Sequence, residues 1–360
     1  MKYVGKEDFS KEEVVEACEL GLRNVDNHTD KDILGEIIDN FSNNDFGLLT
    51  IQEINFLKYK RKEEWAQYLI YRWKFKNYPK KKMVLKFPLY LLIEPTSICN
   101  LKCTMCFQRD ETFSDNRNYM GKMDLKLFKN IIDQAHKGGA RAITLASRGE
   151  PTIHSQFPEM LDYCKGKFYE IKMNTNALLL NEKLIHRILS SDVNIIVFSI
   201  DSYDSRMYEK IRNVKKFEKV VGNIALFHKI RKESYPESKV VTRAHGVRVY
   251  KEVDPDKFYL FWKGKVDEVT IIECVPRWNT YNNEIIDRIF PCLMPFERMY
   301  IWYDGTCNPC DVDYKSFLEM GNVNDQTIEE IWNSKKFNQF RNDHIGGLRK
   351  SLNPCNRCFI

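Results

Sequence analysis

The chain has 360 residues, of which 43% are hydrophobic and 29% charged, a composition typical of a globular protein with a sizeable core. The formal net charge of +6 is mild, and the basic residues are spread along the chain, which argues against a nucleic-acid-binding protein. The N-terminus lacks the apolar core of a signal peptide, and the apolar run at 87–93 is shorter than the roughly 20 residues that span a bilayer. We therefore expect a cytoplasmic protein without a membrane or nucleic-acid partner.

The first part of the chain is predicted to be helical. Apolar residues recur at helical spacing in two stretches, which begin at Val14 and Leu34. A third helix, rich in aromatic residues, is predicted at 50–71. We therefore predict that residues 1–85 form a helical N-terminal extension.

From Leu89 onward, short apolar segments alternate with amphipathic helical segments. Strands are predicted at 90–94, 142–146, 170–174, 194–199, 240–249 and 268–274. Helices are predicted between them at 124–137, 156–165, 181–189, 217–232 and 254–263. This alternation predicts an α/β fold with a parallel sheet and right-handed crossovers, a partial (β/α)6 TIM-like barrel over residues 86–284. Its active site is expected where the loops converge, at the carboxyl ends of the strands.

The chain contains eleven cysteines, and their distribution indicates metal binding. Thiols stay reduced in the cytoplasm, so disulfides explain them less well than metal binding or catalysis. Cys18, Cys164 and Cys274 are isolated, and we interpret them as structural residues. The other eight form two groups, Cys99, Cys103 and Cys106, and then Cys292, Cys307, Cys310, Cys355 and Cys358.

The first group lies in the segment CNLKCTMC, directly after the first predicted strand. This loop is therefore expected at the catalytic end of the barrel. Three closely spaced thiolates leave one iron of a four-iron cluster without a protein ligand, and such an iron can bind a substrate or cofactor. A structural zinc site or an accidental spacing is the alternative, although zinc favours two-residue pairs and a fourth protein ligand, which is not evident nearby.

This three-cysteine segment resembles the signature of the radical S-adenosylmethionine (SAM) superfamily. The resemblance implies that Cys99, Cys103 and Cys106 hold a [4Fe–4S] cluster whose open iron binds the amino and carboxylate groups of SAM. It also implies that an electron splits SAM into methionine and a 5′-deoxyadenosyl radical, which abstracts a hydrogen atom from the substrate. An external electron donor such as flavodoxin or ferredoxin is then expected as a partner.

Further residues match landmarks of the same family on successive predicted strands. The segment SRGEP after the second strand matches the family's Gly-Gly-Glu motif, with Arg148 at the first position. A carboxylate opposite the SAM ammonium, beside a glycine that allows close approach, suits this role. The SAM contacts that the resemblance implies are Gly149, Glu150, Asn174, Asn176, Ser199, Asp201 and Arg212, with Met105 and Phe107 near the adenine.

After Pro291 the alternation ends, and residues 285–360 are turn-rich and contain the second cysteine group. This tail resembles the SPASM module that follows many radical SAM barrels. The resemblance implies a small Fe–S module with an auxiliary [4Fe–4S] cluster ligated by Cys292, Cys310, Cys355 and Cys358. Because Cys307 makes five thiols for four positions, its exchange with Cys310 stays open. A zinc ribbon formed by the pairs at 307–310 and 355–358 is the other alternative.

The substrate is predicted less directly than the cofactors. Relatives in this family act mainly on peptides or on hydroxylated small molecules, and many peptide maturases begin with a winged, strand-containing domain that the helical N-terminus lacks. Three arginines in or near predicted strands, Arg243, Arg248 and Arg277, could hold a phosphate group, with surface ion pairing as the alternative for each. We therefore expect dehydrogenation or epimerisation of a hydroxylated small molecule, a sugar or sugar nucleotide. A peptide or protein maturase and a non-catalytic, zinc-containing binding protein are the alternatives.

Two aspartates, Asp311 and Asp313, follow the cysteine pair at 307–310. They are candidates for a general base beside the auxiliary cluster, with turn capping as the alternative. The sequence therefore predicts a radical SAM oxidoreductase or epimerase that modifies a carbohydrate.

Overall fold

The computed structural model describes residues 9–43, 49–277 and 279–359 of the chain. Contacts divide the chain into two compact units, with the boundary after Met83. In the described ranges, no helix combines the length and hydropathy that a membrane crossing requires.

The described residues of the N-terminal unit form helices only. These are α1 at Lys11–Asn24, α2 at His28–Asn43, α3 at Ile51–Tyr59 and α4 at Lys62–Asn77. Their buried apolar residues form a core of their own, which includes Val14, Leu34 and Trp65. This agrees with the helical spacing in the sequence.

The helix predicted at 50–71 is divided into two in the structure. The break lies at Lys60, which has an extended backbone conformation. Thr50 begins α3 and its backbone N–H donates to Glu53 (2.7 Å), while the backbone N–H of Arg61 donates to Glu64 at the start of α4 (3.4 Å). The sequence thus contains two helix starts in this stretch, each with a glutamate at the third helical position.

The second unit is built on a sheet of nine strands in its described residues. They are β1 at Tyr90–Ile93, β2 at Ala142–Leu145, β3 at Glu170–Thr175, β4 at Ile195–Ser199, β5 at Val241–Arg248, β6 at Glu268–Glu273, β7 at Met299–Ile301, β8 at Thr306–Asn308 and β9 at Gly321–Asn322. Their order is β6-β5-β4-β3-β2-β1-β7-β8-β9. All pairs from β6 to β7 are parallel, and the sheet is not closed. The predicted α/β fold with a partial barrel of six parallel strands is therefore confirmed.

Helices follow most of these strands. They are α5 at Glu111–Ser114, α6 at Leu125–Gly138, α7 at Phe157–Tyr163, α8 at Glu182–Leu189, α9 at Ser205–Arg212, α10 at Phe217–Ser234, α11 at Pro255–Trp262, α12 at Met294–Glu297, α13 at Ile328–Trp332 and α14 at Lys335–Ile345. Short polar side chains begin several of them: Asn181 accepts from the backbone N–H of Leu184 (3.0 Å), and Asp204 from that of Met207 (2.8 Å). Helix α9 was not among the predicted helices.

Strand residues alternate between two faces of the sheet. Ile171 and Met173 of β3 face the helices and belong to the main core. Lys172 and Asn174 of the same strand therefore face the interior of the partial barrel. Three apolar residues of β4 and β5 form a small separate cluster on that interior face. The interior thus combines an apolar wall with polar side chains near the carboxyl ends of the strands.

The C-terminal segment extends the same sheet. Strand β7 pairs in parallel with β1, and β8 and β9 follow in antiparallel pairs. Gly305 makes the turn between β7 and β8 with a φ of 87°, and a Cβ at this position would lie 2.7 Å from Asn322 Oδ1. The segment that the sequence predicts as a separate module thus shares both sheet and core with the barrel, since Met299 and Ile301 belong to the main core.

Candidate active site

The loop after β1 carries the first cysteine group at the carboxyl end of the sheet. Cys103 is buried in the main core, while Cys99 and Cys106 are partly exposed. The backbone holds this loop in place, because the N–H of Cys106 donates to the carbonyl of Cys103 (3.0 Å) and the N–H of Thr104 donates to that of Ile211 in α9 (2.9 Å). We call residues 94–109 the cysteine loop.

Burial raises the pKa of all three thiols, and that of Cys106 to about 12. The negative charges of Cys103 and Cys106 also raise the pKa of Cys99, so the three sulfur atoms share one electrostatic environment. Crowded, buried thiolates need a cation, and metal binding here must release protons. This donor set fits an iron–sulfur cluster, and Cys99, Cys103 and Cys106 are the residues that would hold it.

Arg212, at the end of α9, connects the cysteine loop to Asp201. Its guanidinium lies 2.7 Å from the Asp201 carboxylate and donates to Cys103 Sγ at 3.4 Å. The other Asp201 oxygen accepts from the backbone N–H of Val247 (2.8 Å). Both charged side chains are buried. In this arrangement the two residues bind each other and position the cysteine loop, while Arg212 Nε has no hydrogen-bond partner in the described ranges.

Gly149 and Glu150 bring the end of β2 against the cysteine loop. A Cβ at Gly149 would lie 2.3 Å from the carbonyl oxygen of Thr96, so the contact with the loop already requires glycine. The buried Glu150 carboxylate accepts from the Thr175 hydroxyl (2.7 Å) and the Asn176 N–H (2.7 Å). Burial raises the pKa of Glu150, and a bound ammonium would stabilise its charged form.

The polar residues predicted at the ends of β3 and β4 differ in their contacts. The Asn174 Oδ1 atom is buried and has no hydrogen-bond partner among the described residues, a state that is rare in native proteins without a ligand or ordered water. Asn176 donates from its side chain to Asn100 in the cysteine loop (2.7 Å). Ser199 is the last residue of β4 and is partly exposed. Of these residues, Asn174 is the best placed to contact a cofactor.

The two residues predicted near the adenine pack in different surroundings. Met105 is partly buried against the main core. The Phe107 ring stacks on Tyr314 of the C-terminal segment, with the ring centroids 5.0 Å apart and an interplanar angle of 19°. One face of Phe107 is therefore covered by protein.

The second cysteine group is divided in the structure. One pocket is lined by Cys292, Cys310, Cys355 and Cys358, together with Phe340, His344 and Arg349. Cys307 is instead fully buried in the main core, where its thiol faces the carbonyl of Gly305 (3.7 Å). The geometry therefore brings together the four cysteines that the SPASM resemblance implies.

Burial raises the pKa of Cys292, Cys310 and Cys355, and the charges of neighbouring cysteines add to the effect. The four thiols of this pocket, whose walls are largely apolar, are a donor set that fits an auxiliary cluster. In the described part of the chain, no group of three or more His, Cys, Asp or Glu side chains is already arranged to hold a metal ion. The assignment of the two sets of cysteine ligands therefore depends on their spacing in the sequence, their shared surroundings and the donor chemistry of thiolates.

The two aspartates predicted as acid–base residues have different partners. Asp313 is fully buried and accepts from the Tyr281 hydroxyl (2.7 Å) and from the backbone N–H groups of residues 317 and 318 (3.0 and 2.7 Å). These contacts are those of a turn cap. Asp311 is partly exposed and forms an ion pair with Arg277 (2.5 Å). Of the two aspartates, Asp311 is thus the one that is accessible from outside the protein.

The three arginines considered as phosphate ligands all form ion pairs within the chain. Arg243 binds Glu268 (2.5 Å), and Arg248 binds Glu273 (3.1 Å). Arg277 binds Asp311, as described above. A phosphate would therefore have to compete with a carboxylate at each of them.

The partner of Arg148 could not be predicted from the sequence. This buried side chain binds the buried Glu94 carboxylate through two nitrogens (2.8 and 2.6 Å) and donates to the Tyr314 carbonyl (2.8 Å). Its guanidinium also lies over the Trp302 ring, 4.3 Å from the centroid. The arginine in place of glycine in SRGEP was the only sign in the sequence that this position has a special role. The ion pair connects the ends of β1 and β2 to the C-terminal segment.

The sequence also did not single out Lys172. Burial, followed by the charges of Arg243 and Arg298, lowers the pKa of this lysine to about 8. His245 lies near it on β5, and burial, followed by the charge of Lys172, lowers the pKa of His245 to about 4. The negative charge of Glu170, on the same strand, raises the pKa of Lys172 and offsets the lowering only in part. The barrel interior therefore offers an ammonium group to an anionic ligand.

Two family models match the chain. The model described as the radical SAM superfamily matches residues 93–261, and the SPASM model, described as an iron–sulfur cluster-binding domain, matches residues 292–359.

Two named proteins are among those with sequences similar to this chain. The tungsten-containing aldehyde ferredoxin oxidoreductase cofactor-modifying protein of Pyrococcus furiosus is 24% identical over 301 residues, which are 70% of this chain and 83% of that protein. The antilisterial bacteriocin subtilosin biosynthesis protein AlbA of Bacillus subtilis is 24% identical over 279 residues, 69% of this chain and 60% of that protein.

A solved structure with a similar fold is that of Streptococcus suis SuiB bound to its precursor peptide SuiA. It has a TM-score of 0.58 and 17% identity, and the match covers 78% of this chain and 72% of that chain. At this identity the likeness concerns the fold.

Proposed function

We propose that this chain, a radical SAM enzyme with a C-terminal SPASM domain, is a maturase that modifies a peptide or protein substrate. The observation that carries this proposal is the pairing of the two domains in a chain whose relatives include proteins named for cofactor modification and for bacteriocin biosynthesis. One of them belongs to bacteriocin biosynthesis, and a protein of similar fold was solved with a precursor peptide.

The contacts of the barrel weaken the expectation of a sugar nucleotide. That expectation depended in part on three arginines available for phosphate, and each of them is paired with a carboxylate. The helical N-terminal unit remains unlike a winged domain, so recognition of a leader peptide, if one is present, would use helices.

With a [4Fe–4S] cluster and SAM bound, the first cysteine group would supply radical hydrogen-abstraction chemistry once an external donor provides an electron. In this chain, Cys99, Cys103 and Cys106 would hold that cluster, and Arg212 fixes the position of Cys103 through its hydrogen bond to the sulfur. Glu150 would accept a hydrogen bond from the SAM ammonium, and the unpartnered Asn174 amide oxygen would accept another from the same ligand.

The barrel interior indicates which substrate groups would be favoured. Lys172 points into it, and the charge of Glu170 on the same strand offsets the lowering of the Lys172 pKa only in part, while Arg243 beside it is paired with Glu268. A partly buried ammonium that is only partly compensated is unfavourable, and a carboxylate from the substrate would relieve this cost. We therefore propose that the modified segment carries an Asp or Glu side chain or a free carboxyl terminus near the reacting carbon.

The test measures 5′-deoxyadenosine formed by the reconstituted enzyme with dithionite as reductant. One panel holds synthetic peptides with Asp or Glu residues, paired with the same peptides carrying Asn or Gln, and a second panel holds nucleotide sugars. We expect stimulation by an acidic peptide, weaker stimulation by its amide counterpart and none by the sugars.

The matched control is a pair of cysteine variants. Cys99→Ala should abolish 5′-deoxyadenosine formation, whereas Cys164→Ala, a buried cysteine of the main core, should retain it. Stimulation by a nucleotide sugar and by no peptide would contradict the proposed function and restore the carbohydrate hypothesis.

A further inference from the structure

A buried histidine, His344 of α14, faces the pocket of the second cysteine group. Its side chain is fully buried and lines the pocket together with Cys292, Cys310, Cys355 and Cys358. The ring is held by an edge-on contact with Phe340, at 4.7 Å between the ring centroids and 75° between the planes. Its orientation is therefore set by packing.

The contact of His344 with the backbone shows which of its two ring nitrogens carries the proton. The N–H of Cys292 donates to His344 Nδ1 at 3.2 Å, so Nδ1 must present a lone pair. The neutral ring then carries its proton on Nε2. This Nε2 atom is buried and has no hydrogen-bond partner among the described residues.

A second buried histidine in the same chain has a hydrogen-bond partner at each ring nitrogen. In His154, Nδ1 likewise accepts a backbone N–H, from Gln156 at 3.1 Å, and Nε2 meets the carbonyl of Met123 at 2.9 Å. His344 has the same tautomer, but its Nε2–H meets no acceptor in the part of the chain that the structure describes. Since buried donors are nearly always satisfied, its acceptor is expected to be a ligand in the pocket.

Arg349, the other polar side chain that lines the pocket, has different contacts. It donates to the backbone carbonyls of Phe290, Cys355 and Cys358, at 3.3 to 3.4 Å. These bonds position the loop that carries the last two cysteines. His344 is thus the side chain whose polar hydrogen is available to the pocket itself.

We propose that His344 donates an Nε2–H hydrogen bond to the auxiliary cluster of the SPASM domain, at a sulfide or a ligating thiolate. A hydrogen bond to sulfur stabilises the more negative, reduced state of an iron–sulfur cluster and so raises its reduction potential. His344 is therefore a positioning and tuning residue for this cluster. The inference depends on the SPASM domain and not on the identity of the substrate.

The test uses two substitutions that separate the two ring nitrogens. His344→Asn keeps an acceptor near the Nδ1 position for Cys292 but removes the Nε2 donor. His344→Gln places an amide donor near the Nε2 position but removes the Nδ1 acceptor. Both are made in the full-length chain with Cys99, Cys103 and Cys106 replaced by alanine, so that the signal comes from the auxiliary cluster alone.

The readouts are iron per chain and the midpoint potential in an EPR-monitored redox titration. We expect His344→Asn to keep its iron and shift the midpoint to a more negative potential, while His344→Gln keeps a midpoint near that of the parent. His154→Asn is the control and should leave the midpoint unchanged. An unchanged midpoint in His344→Asn would overturn the proposal, and loss of iron in both variants would also overturn it, by making His344 a ligand.

Discussion

Cys307 and Cys310 are three residues apart in sequence and lie in different surroundings. Cys307 belongs to β8 and is fully buried in the main core, whereas Cys310 follows the strand and lines the pocket with three other cysteines. Strand alternation explains the difference at Cys307, because its side chain points to the core face. The position of Cys310 depends on the turn after the strand.

This difference predicts opposite outcomes for two single substitutions. Cys310→Ala should lose the auxiliary cluster, and with it about four irons per chain, because one of four ligands is removed. Cys307→Ala should keep all of its iron and lose only stability, through a small cavity in the core. Iron and sulfide analysis after anaerobic reconstitution checks both. Loss of iron in Cys307→Ala but not in Cys310→Ala would show that Cys307, and not Cys310, is the cluster ligand.

Lys172 predicts a pH dependence of stability. Its pKa is lowered to about 8 in the folded chain from an ordinary 10.5, so the unfolded chain binds more protons between these values. Stability due to this residue is therefore lowest below about pH 8 and rises through the window up to about pH 10.5. Lys172→Met should remove this rise and, at pH 7, increase the free energy of unfolding by up to about 3 kcal/mol.

Urea unfolding at pH 7 and pH 9.5 checks this prediction. Lys183→Met, at an exposed position of α8, is the control and should leave the pH dependence unchanged. A loss of stability at pH 7 in Lys172→Met would show that the ammonium is already compensated within the chain. Peptide-stimulated 5′-deoxyadenosine formation should fall in the same variant, since the proposed carboxylate partner is lost.

At this scale, the sequence indicated which residue types carry the chemistry but not their contacts. The spacing of the cysteines marked both groups, and the ends of the strands marked Glu150 and Asn174. The pairing of Asp201 with Arg212 and of Arg148 with Glu94 could not be read from the sequence, because it depends on how separate elements pack against each other. Interior positions such as Lys172 become visible only when the register of the strands is known.

Among the elements, α9 has the most direct effect on the site. It begins at the Asp204 cap and ends at Arg212, whose guanidinium bonds to Cys103, and the Ile211 carbonyl accepts from Thr104 in the cysteine loop. The helix is therefore a support for the first cluster. Its short length makes it depend on its cap.

Removing the cap of α9 should affect both stability and the cluster. Asp204→Ala should cost about 1 kcal/mol of stability, typical of a lost N-cap, and also lower the yield of the first cluster. Asn181→Ala removes a similar cap from α8 and is the matched control, with a similar cost and a normal cluster yield. Denaturation and the EPR signal of the SAM-binding cluster check the two effects. Equal cluster yields in the two variants would argue against the supporting role of α9.

Element prediction succeeded where periodicity is strong and failed where pairing is distant. The six barrel strands start within one residue of their predicted positions, because buried parallel strands read as apolar runs. Strands β7 to β9 are only two or three residues long. They depend on the pairing of β7 with β1, which lies about 200 residues earlier in the chain. A run this short carries no periodicity.

For the whole second unit, the Glu94–Arg148 pair links the barrel to the C-terminal segment. Both side chains are buried, and Arg148 also contacts Trp302 and Tyr314. Arg148→Met should destabilise the chain by about 3–5 kcal/mol, because it leaves a buried carboxylate without its partner. The double variant Glu94→Gln/Arg148→Met should cost less, since no unpaired charge is left.

Urea unfolding of the single and double variants measures this coupling. Lys215→Met, which breaks the exposed pair with Glu209 (3.5 Å), is the control and should cost less than about 1 kcal/mol. An equal cost for Arg148→Met and Lys215→Met would mean that the buried pair contributes nothing to the link.

The central claim is that the chain holds two iron–sulfur clusters, one of them bound by three cysteines for SAM. The most direct test measures iron, sulfide and zinc per chain after anaerobic reconstitution, in the wild type and in the Cys99→Ala/Cys103→Ala/Cys106→Ala variant. We predict about eight irons in the wild type and about four in the variant, as expected for two four-iron clusters of which one is lost. Zinc in place of iron, in an amount that the three substitutions leave unchanged, would contradict the claim.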